Sequence, residues 1–199
     1  MGYPHSHLAV ANAASADRFL NSVDMKVGAY VLDETTALYE GARHVMVTHT
    51  LGGNVDTLGT VVITGTDLSG NVISETITPS DSTWVLGTQW FATVTGATGV
   101  GWVVSADTTE DTIEIGYGID TILVQGTGTL HAVVVNTTAA GAITIADATG
   151  TIAIMAASIA EGTYEFDAIF YGFLQFTLAA ASDITVLRDD NYAHPYSMS

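Results

Sequence analysis

The pattern of residues 57–187 constrains the fold more than any other feature of this chain. Short runs of Val, Ile, Thr and Tyr alternate there with polar residues, and Gly, Asn, Asp or Thr interrupts the runs every few positions. Alternation with a period of two places one side of a strand in a core and the other side in water. The sequence therefore predicts an all-β chain built from antiparallel sheets.

Two segments carry the clearest hairpin signals. Residues 60–66 and 72–78 flank residues 67–71, whose Asp, Ser, Gly and Asn accommodate turn conformations. Residues 142–147 and 151–155 flank a second, glycine-containing turn. Further strands are predicted at residues 27–32, 44–49, 83–86, 90–94, 100–104, 112–117, 121–125, 130–136, 162–167, 173–178 and 183–187.

The later strands are predicted to share one buried face, because their apolar residues recur at every second position. A packed interior for the second half of the chain follows from this pattern. The predicted core face consists of Ile143, Ile145, Ile152, Ile154, Leu174, Phe176, Leu178, Ile184 and Val186.

The length of 199 residues allows one large sandwich or two small domains. We predict two small antiparallel β-sandwich or jelly-roll-like domains, at residues 25–119 and residues 120–190. Residues 1–24 include an alanine-rich run that is able to form a short helix but is too small to be an independent element. We therefore expect an extended N-terminal arm that orders on a neighbour. A frayed terminus is the alternative for this segment. Residues 191–199 are predicted to be a polar C-terminal tail.

Acidic residues dominate the charge of the chain. Its 21 Asp and Glu residues against 4 Lys and Arg residues give a formal net charge of -17. Such a chain repels a phosphate backbone, so nucleic acid is not an expected partner. Charged residues make up only 13% of the sequence, well below the roughly 25% of a typical soluble domain. Many water-facing positions must therefore be Thr, Ser, Asn or Gly, which suits a surface that packs into an assembly.

Targeting and redox signals are also lacking in the sequence. No stretch of about 18 uninterrupted apolar residues occurs, and the first residues lack the basic and then apolar pattern of a secretory signal. We therefore expect a protein that is soluble when made and has no membrane partner. The chain has no cysteine, which excludes disulfides, thiolate nucleophiles and zinc sites of the cysteine type.

The histidines do not show the spacing of a metal site. His5 and His7 lie in the N-terminal segment, and His44 and His49 are an odd number of positions apart on one predicted strand. Side chains at odd spacing face opposite sides of a strand, so structural or surface roles are expected. His131 lies in an apolar strand and is predicted to be a hydrogen-bonded interface histidine.

Acidic clusters offer the remaining metal candidates. Asp107, Glu110 and Asp111 lie close together and supply the oxygen ligands that Ca²⁺ prefers. This cluster does not follow the EF-hand pattern, so solvated loop charge is the favoured interpretation. We expect no metal site, and these three residues are the first candidates if calcium binds.

The sequence does not predict catalysis. The nucleophile turn G-x-S-x-G of many hydrolases does not occur in it. The glycine-rich residues 96–101 and 126–128 lack a lysine and a following helix, so we predict strand-breaking turns there and no phosphate site. The chain is therefore expected to be non-enzymatic and to need no cofactor.

Three tryptophans lie close together in the sequence, at Trp84, Trp90 and Trp102. Aromatic rings on a surface can line a sugar-binding platform. In β-domains such residues more often serve as core residues or as anchors of a subunit interface. We therefore take the three tryptophans as interface candidates, with glycan binding as the alternative.

Two parts of the chain resemble a known class of proteins. Residues 59–78 (GTVVITGTDLSGNVISETIT), continued by FATVTG at 91–96 and DTIEIG at 111–116, resemble structural proteins of tailed bacteriophages. Residues 128–187, with the motifs VVVN, AITIAD and DITV, are similar to small β-domains of virion surface proteins. The resemblance implies a virion component, and in particular a capsid decoration (cement) protein on the capsid surface.

The same resemblance implies partners and a location. It implies attachment to the lattice of the major capsid protein, a homo-oligomer with a trimer as the expected form, and synthesis in the host cytoplasm. The alternative is a tail or fibre subunit, or a carbohydrate-binding adhesion module for host glycans. We further expect residues 1–24 to dock on the shell or an adjacent subunit, so that their deletion abolishes particle binding and leaves the fold intact.

Overall fold

The computed structural model describes residues 5–8, 15–34, 41–52, 57–80, 82–103, 111–180 and 182–191. Their secondary structure consists of sixteen β-strands, which confirms the predicted all-β fold. Within these ranges no helix has the length and hydrophobicity needed to cross a lipid bilayer. The strands are β1 (His5–Leu8), β2 (Ser15–Asp24), β3 (Gly28–Ala29), β4 (Arg43–Thr50), β5 (Thr60–Thr66), β6 (Val72–Ile77), β7 (Trp84–Phe91), β8 (Thr93–Val100), β9 (Thr112–Tyr117), β10 (Asp120–Gln125), β11 (Thr127–Thr137), β12 (Ile143–Asp147), β13 (Gly150–Met155), β14 (Gly162–Phe170), β15 (Phe173–Leu178) and β16 (Asp183–Asn191).

The chain divides into two compact units. The described residues within Ala14–Leu38 and Ala42–Gly118 form one unit, which we call the first sandwich. Those within Met1–Ala13, Tyr39–Gly41 and Ile119–Ser199 form the other unit, which we call the second sandwich. The chain passes from the first to the second sandwich for the last time between Gly118 and Ile119. This position lies one residue before the predicted domain boundary between residues 119 and 120.

Two four-stranded antiparallel sheets form the first sandwich. Their strand orders are β2-β9-β4-β7 and β3-β8-β5-β6. Side chains from both sheets meet in one core, because alternation turns every second side chain inward. Fully buried members of this core include Phe19, Val45, Val47, Val61, Ile63, Phe91, Val94, Ile113 and Ile115.

The second sandwich has the same construction. Its two four-stranded sheets have the orders β1-β16-β11-β14 and β10-β15-β12-β13, and all their pairings are antiparallel. Both sheets contribute apolar side chains to a single core. Fully buried members include Leu130, Val133, Ile143, Ile145, Phe170, Leu174, Phe176, Ile184 and Val186.

Carboxylates hold the turns of both predicted hairpins. In the β5–β6 turn, Asp67 Oδ1 accepts hydrogen bonds from the backbone N–H groups of Ser69 and Asn71, at 2.8 and 2.9 Å. In the β12–β13 turn, Asp147 Oδ1 accepts from the N–H groups of Thr149 and Gly150, at 2.7 and 3.1 Å. Aspartate is favoured in turns because its short side chain satisfies backbone donors in this way. Both hairpins are therefore formed as predicted.

The N-terminal residues differ from the predicted arm, because they form strands of the sandwiches. Strand β2 pairs with β9, and its side chains Phe19 and Leu20 are 0% and 1% exposed. Strand β1 pairs with β16, while residues 9–14 lie outside the described residues. Sheet pairing and apolar burial outweigh the helix propensity of the alanine-rich run. Deleting residues 1–24 would remove two core side chains, so the fold is not expected to survive that deletion.

Several strand boundaries also differ from the predictions. The glycine-rich stretch 96–101 does not break a strand but lies largely within β8. A Cβ on Gly99 would lie 2.0 Å from the backbone oxygen of Lys26, so glycine is needed there for the close approach of two backbones. The segments predicted at 83–86 and 90–94 are replaced by the longer β7 and β8. The predicted strand at 27–32 is reduced to the two residues of β3.

The C-terminal tail was predicted to begin at residue 191. Strand β16 continues through Asn191 and pairs with Thr127 of β11 at that point. Residues 192–199 of the predicted tail lie outside the described residues.

One predicted core residue lies on the surface. Ile154 is 69% exposed and Ile152 is half-buried, whereas the other seven residues of the predicted core face are buried. The pairing shifts between Ala146–Thr151 and Ile145–Ala153, so β13 holds one extra residue at Ile152. An extra residue reverses the alternation beyond it, which places Ala153 and Met155 opposite core residues and turns Ile154 outward.

We expect Phe19→Ala to lower the free energy of unfolding by about 3–5 kcal/mol, because it empties a buried aromatic site. The matched control is Asn21→Ala, an exposed position on the same strand, with an expected change within about 0.5 kcal/mol. Urea denaturation followed by circular dichroism measures both values. Equal, small changes in the two variants would show that β2 does not belong to the core.

Candidate functional site

Two of the three predicted tryptophans lie on one outward-facing surface of the first sandwich. Trp84 pairs with Thr48, and Trp90 pairs with His44, across the ladder between β7 and β4. Leu86 and Met46 form the pair between them. Directly paired residues share a sheet face, and the neighbouring residues Val45 and Val47 point into the core. We call His44, Met46, Trp84, Leu86 and Trp90 the aromatic face; Met46 is itself only 6% exposed.

The aromatic face presents large apolar side chains to solvent. Trp84 is 59% exposed and Leu86 is 36% exposed. Trp90 is half-buried, with the ring of His44 3.7 Å from its own ring, centroid to centroid. His44 Nδ1 is also 3.2 Å from the carbonyl oxygen of Gln89, to which it can donate a hydrogen bond. The stacked pair has a restrained orientation, while Trp84 offers a broad free ring surface.

Trp102 does not join the other two tryptophans. It is 5% exposed and belongs to the core of the first sandwich. A Cβ on Gly99 would lie 2.6 Å from Trp102 Nε1, so the indole occupies the space that this glycine leaves free. Trp102 is therefore a core residue and not part of a binding surface.

The edge strand that carries both tryptophans is held by a carboxylate from the facing sheet. Between the pairs at Leu86 and Trp90, β7 contains two more residues than β4. Glu75 of β6 accepts the backbone N–H groups of Thr88 and Gln89, at 2.6 and 3.1 Å, and the hydroxyl of Thr88 at 2.9 Å. Glu75 thus satisfies backbone donors that the irregular ladder leaves unpaired and fixes the edge of the aromatic face.

His49 and Asp111 form a buried pair away from the aromatic face. Both side chains are inaccessible to solvent, and His49 Nε2 lies 3.0 Å from Asp111 Oδ2. Asp111 Oδ1 accepts the backbone N–H of Gly52 at 2.7 Å. His44 and His49 face opposite sides of β4, as their odd spacing predicts. The role of the pair is structural, because it ties the end of β4 to the start of β9.

The structure describes only one of the three calcium candidates, Asp111. Asp107 and Glu110 lie outside the described residues, and Asp111 is engaged by His49 and Gly52. Over the described ranges, no group of three or more His, Asp or Glu residues is arranged to hold a metal ion.

A second polar cluster lies on the second sandwich, and the sequence analysis singled out only its central residue, His131. His131 Nδ1 is 3.0 Å from Asp167 Oδ1, and His131 Nε2 is 3.0 Å from Asp189 Oδ2. The three residues come from β11, β14 and β16, which are neighbours in one sheet. We call them the histidine clamp, since the imidazole links both flanking strands. The clamp borders an open depression of about 280 Å³ whose other lining residues include Glu165 and Leu187.

Two irregularities in the ladder bring the clamp together. Strand β11 has one extra residue relative to β16 at His131, and β14 has one extra residue relative to β11 near Asp167. Asp167 has a φ of 45°, in the left-handed region that non-glycine residues seldom adopt. These positions could not be found from the alternation of the sequence, because each bulge breaks that alternation.

Both ring nitrogens of His131 face carboxylates. An ionised carboxylate accepts hydrogen bonds but cannot donate them. Both contacts are hydrogen bonds only when the ring is protonated. Accordingly, the hydrogen bond to Asp167, followed by that to Asp189, raises the pKa of His131 above its usual value of 6.5. Protonation of His131 therefore lets one side chain on β11 hydrogen-bond to both neighbouring strands, β14 and β16. The hydrogen bonding predicted for His131 agrees with these contacts, while its predicted position in an interface stays a prediction.

Comparison with known proteins returned no matching family model, no similar curated protein and no similar solved structure. The function is therefore inferred from the two sandwiches and the surfaces they present.

We expect the clamp to stabilise the fold in a pH-dependent manner. The folded pKa of His131 is raised, so its contribution is complete below about pH 6.5, the unfolded value, and is lost as the pH rises through the folded pKa. The difference in unfolding free energy between the wild type and His131→Gln should therefore be largest below about pH 6.5 and shrink as the pH rises above it. Urea denaturation at several pH values measures it, and NMR titration of the imidazole gives the pKa directly. A titration midpoint at or below about 6.5 would contradict the clamp.

We expect Glu75→Ala to loosen the edge of the aromatic face. Losing these hydrogen bonds should cost about 1 kcal/mol of stability and speed hydrogen exchange at the amides of Thr88 and Gln89. Glu114→Ala, which removes another half-buried carboxylate of the same sandwich, serves as the control. If exchange at these two amides is unchanged in Glu75→Ala, the carboxylate does not hold β7.

Proposed function

We propose that this chain is a non-enzymatic structural protein of a tailed-bacteriophage virion. In this proposal it binds the exterior of the capsid as a decoration (cement) protein, and its partner is the lattice of the major capsid protein. It is made in the host cytoplasm and functions on the capsid surface as a homo-oligomer.

The observation that carries this proposal is the exposed aromatic face on a rigid sheet. Trp84 and Leu86 are large apolar side chains that project from the first sandwich into solvent. Tryptophan is enriched among the residues that dominate binding energy at protein interfaces, because its ring buries a large area with little loss of conformational freedom. A flat, exposed and partly preorganised aromatic surface therefore suits attachment to another protein.

The composition of the chain gives a second argument for a structural role. A surface with few charges, most of them acidic, can pack against a protein lattice at neutral patches while repelling nucleic acid and other particles. Each sandwich encloses one continuous apolar core, and burial of this kind favours resistance to local opening. Such rigidity is what a protein that reinforces a shell requires.

A second candidate function is glycan binding by the same face. The free ring surface of Trp84 is the observation that favours it, since sugars stack on exposed aromatic rings. In that case the chain would be an adhesion module on the virion surface that binds host glycans. A glycan array with the wild type and Trp84→Ala distinguishes it from the protein-binding role.

We expect Trp84→Ala to weaken capsid binding by about 2 kcal/mol, which corresponds to roughly a 30-fold higher Kd. The wild type and the variant are mixed with capsids of the encoding phage that lack the protein, and the bound fraction is measured by sedimentation. Val100→Ala is the matched control, because Val100 is an exposed apolar residue of the facing sheet. It should bind as the wild type does.

Each result has a separate meaning. Binding to tail or fibre preparations and not to capsids would replace the decoration role with the alternative tail or fibre role. Equal binding by the wild type and Trp84→Ala would remove the aromatic face from the attachment. A positive glycan array that is lost in Trp84→Ala, together with virion binding that the same variant keeps, would favour the adhesion module.

A further inference from the structure

The two sandwiches have the same strand topology. If the eight strands of each sandwich are lettered a to h in chain order, both have one sheet of order a-h-c-f and one of order b-g-d-e. Strand a is β2 in the first sandwich and β1 in the second, and strand h is β9 or β16. In both cases strand a lies at the edge of its sheet and pairs with strand h. Each sandwich therefore provides a matched reference for the other.

The chain connects strand a to the rest of each sandwich in different ways. In the first sandwich, β2 is followed directly by β3 of the same unit. In the second sandwich, residues 9–119 lie between β1 and β10, and they include the whole first sandwich. The first sandwich is thus inserted into the first connection of the second. Strand β1 is joined to the rest of its own sandwich by a very long connection.

Strand a is also anchored differently in the two sandwiches. Strand β2 has ten residues, and its Phe19 and Leu20 are buried in the first core. Strand β1 has four residues and pairs with Ile184–Leu187 of β16. All described core residues of the second sandwich lie between Leu123 and Val186. The described core of the second sandwich is therefore supplied by β10–β16 and their connections.

Strand β1 covers one particular part of the outer edge of β16. The sequence of β16 is DITVLRDDN, and β1 pairs with the segment ITVL. This segment has no charged residue, whereas the next three residues, Arg188–Asp190, are all charged, and no described strand pairs with that side of them. Charged residues and very short edge strands both oppose association through sheet edges. The uncharged part of the β16 edge is thus the part that a short strand covers.

We propose that β1 is a removable strap over a strand-binding site on β16. The site is the backbone edge of Ile184–Leu187, and its occupant is residues 5–8 of the same chain. The strap opens as a unit, because its ladder hydrogen bonds lie on one side only and narrowly offset the entropy lost in ordering four residues. The long connection to β10 adds a loop-closure cost to the paired state. Strands β10–β16 and the first sandwich stay folded when the strap opens.

Hydrogen exchange measures the opening in the full chain. Alternate backbone amides of a central antiparallel strand face its two neighbours. Amides of Ile184–Leu187 that face β1 should exchange at least about a hundredfold faster than amides of β9 that face β2, since β2 can leave only with its buried side chains. Amides of β16 that face β11 are the control. They should be protected as well as the amides of β9 that face β4.

A disulfide provides a covalent lock for the strap. His7 and Thr185 are directly paired, and the Cα atoms of paired antiparallel residues lie about 4.5–5.5 Å apart, which a disulfide can span. The chain has no cysteine, so the double variant His7→Cys, Thr185→Cys can form only this bond within one molecule. Oxidation should slow exchange at the amides that face β1 at least about tenfold. The reduced form of the same variant is the matched control.

Deleting residues 1–8 removes the strap and leaves β2 in place. This variant should keep the wild-type circular dichroism spectrum and the protection of the β16 amides that face β11, while the amides that faced β1 lose their protection. Unfolding of the second sandwich in this variant would overturn the proposal. So would failure of the disulfide to form within one molecule, exchange that oxidation does not change, or equal protection of the amides facing β1 and β2. These measurements use no capsids, so the strap and the proposed capsid attachment succeed or fail separately.

Discussion

Extra residues inside the β-ladders decide which side chains of this protein meet water. In a regular ladder, inward and outward positions alternate strictly, so a single extra residue reverses the assignment for the rest of the strand. The bulge at Ile152 turns Ile154 out of the core, and bulges on β11 and β14 bring His131 and Asp167 together. On β7 there are two extra residues, which leaves the alternation intact and keeps both tryptophans of the aromatic face on one side.

Carboxylates satisfy backbone donors that lie outside the regular ladders, at the irregular stretch of β7 and at the β12–β13 turn. Glu75 accepts two N–H groups of β7, and Asp147 accepts the N–H groups of Thr149, Gly150 and Tyr171. Ionised carboxylates are strong acceptors for such donors and need no basic partner. Part of the acidity of the chain is therefore structural.

The two-residue alternation was enough to predict the all-β fold, both hairpins and most of the second core. Residues such as Ile145 and Phe176 follow the regular ladder, so their burial follows from their position alone. The predicted burial of Ile154 was wrong, because the sequence does not show where a strand accommodates an extra residue. The clamp was missed for the same reason, since His131 meets its carboxylates across two bulges from distant parts of the chain. The burial of Trp102 likewise depends on a tertiary contact beside Gly99.

The aromatic face and the edge of β13 would support different kinds of association. A contact through Trp84 depends on side chains, so it discriminates between partners by the shape and chemistry of the surface that receives the ring. A contact through a strand edge depends mostly on backbone groups, which any extended segment can supply, and so it needs another means of selecting its partner. The edge of β13 carries no charged residue, so its composition does not select one partner over another. A surface built around Trp84 can therefore discriminate between partners in a way that the uncharged backbone edge of β13 cannot.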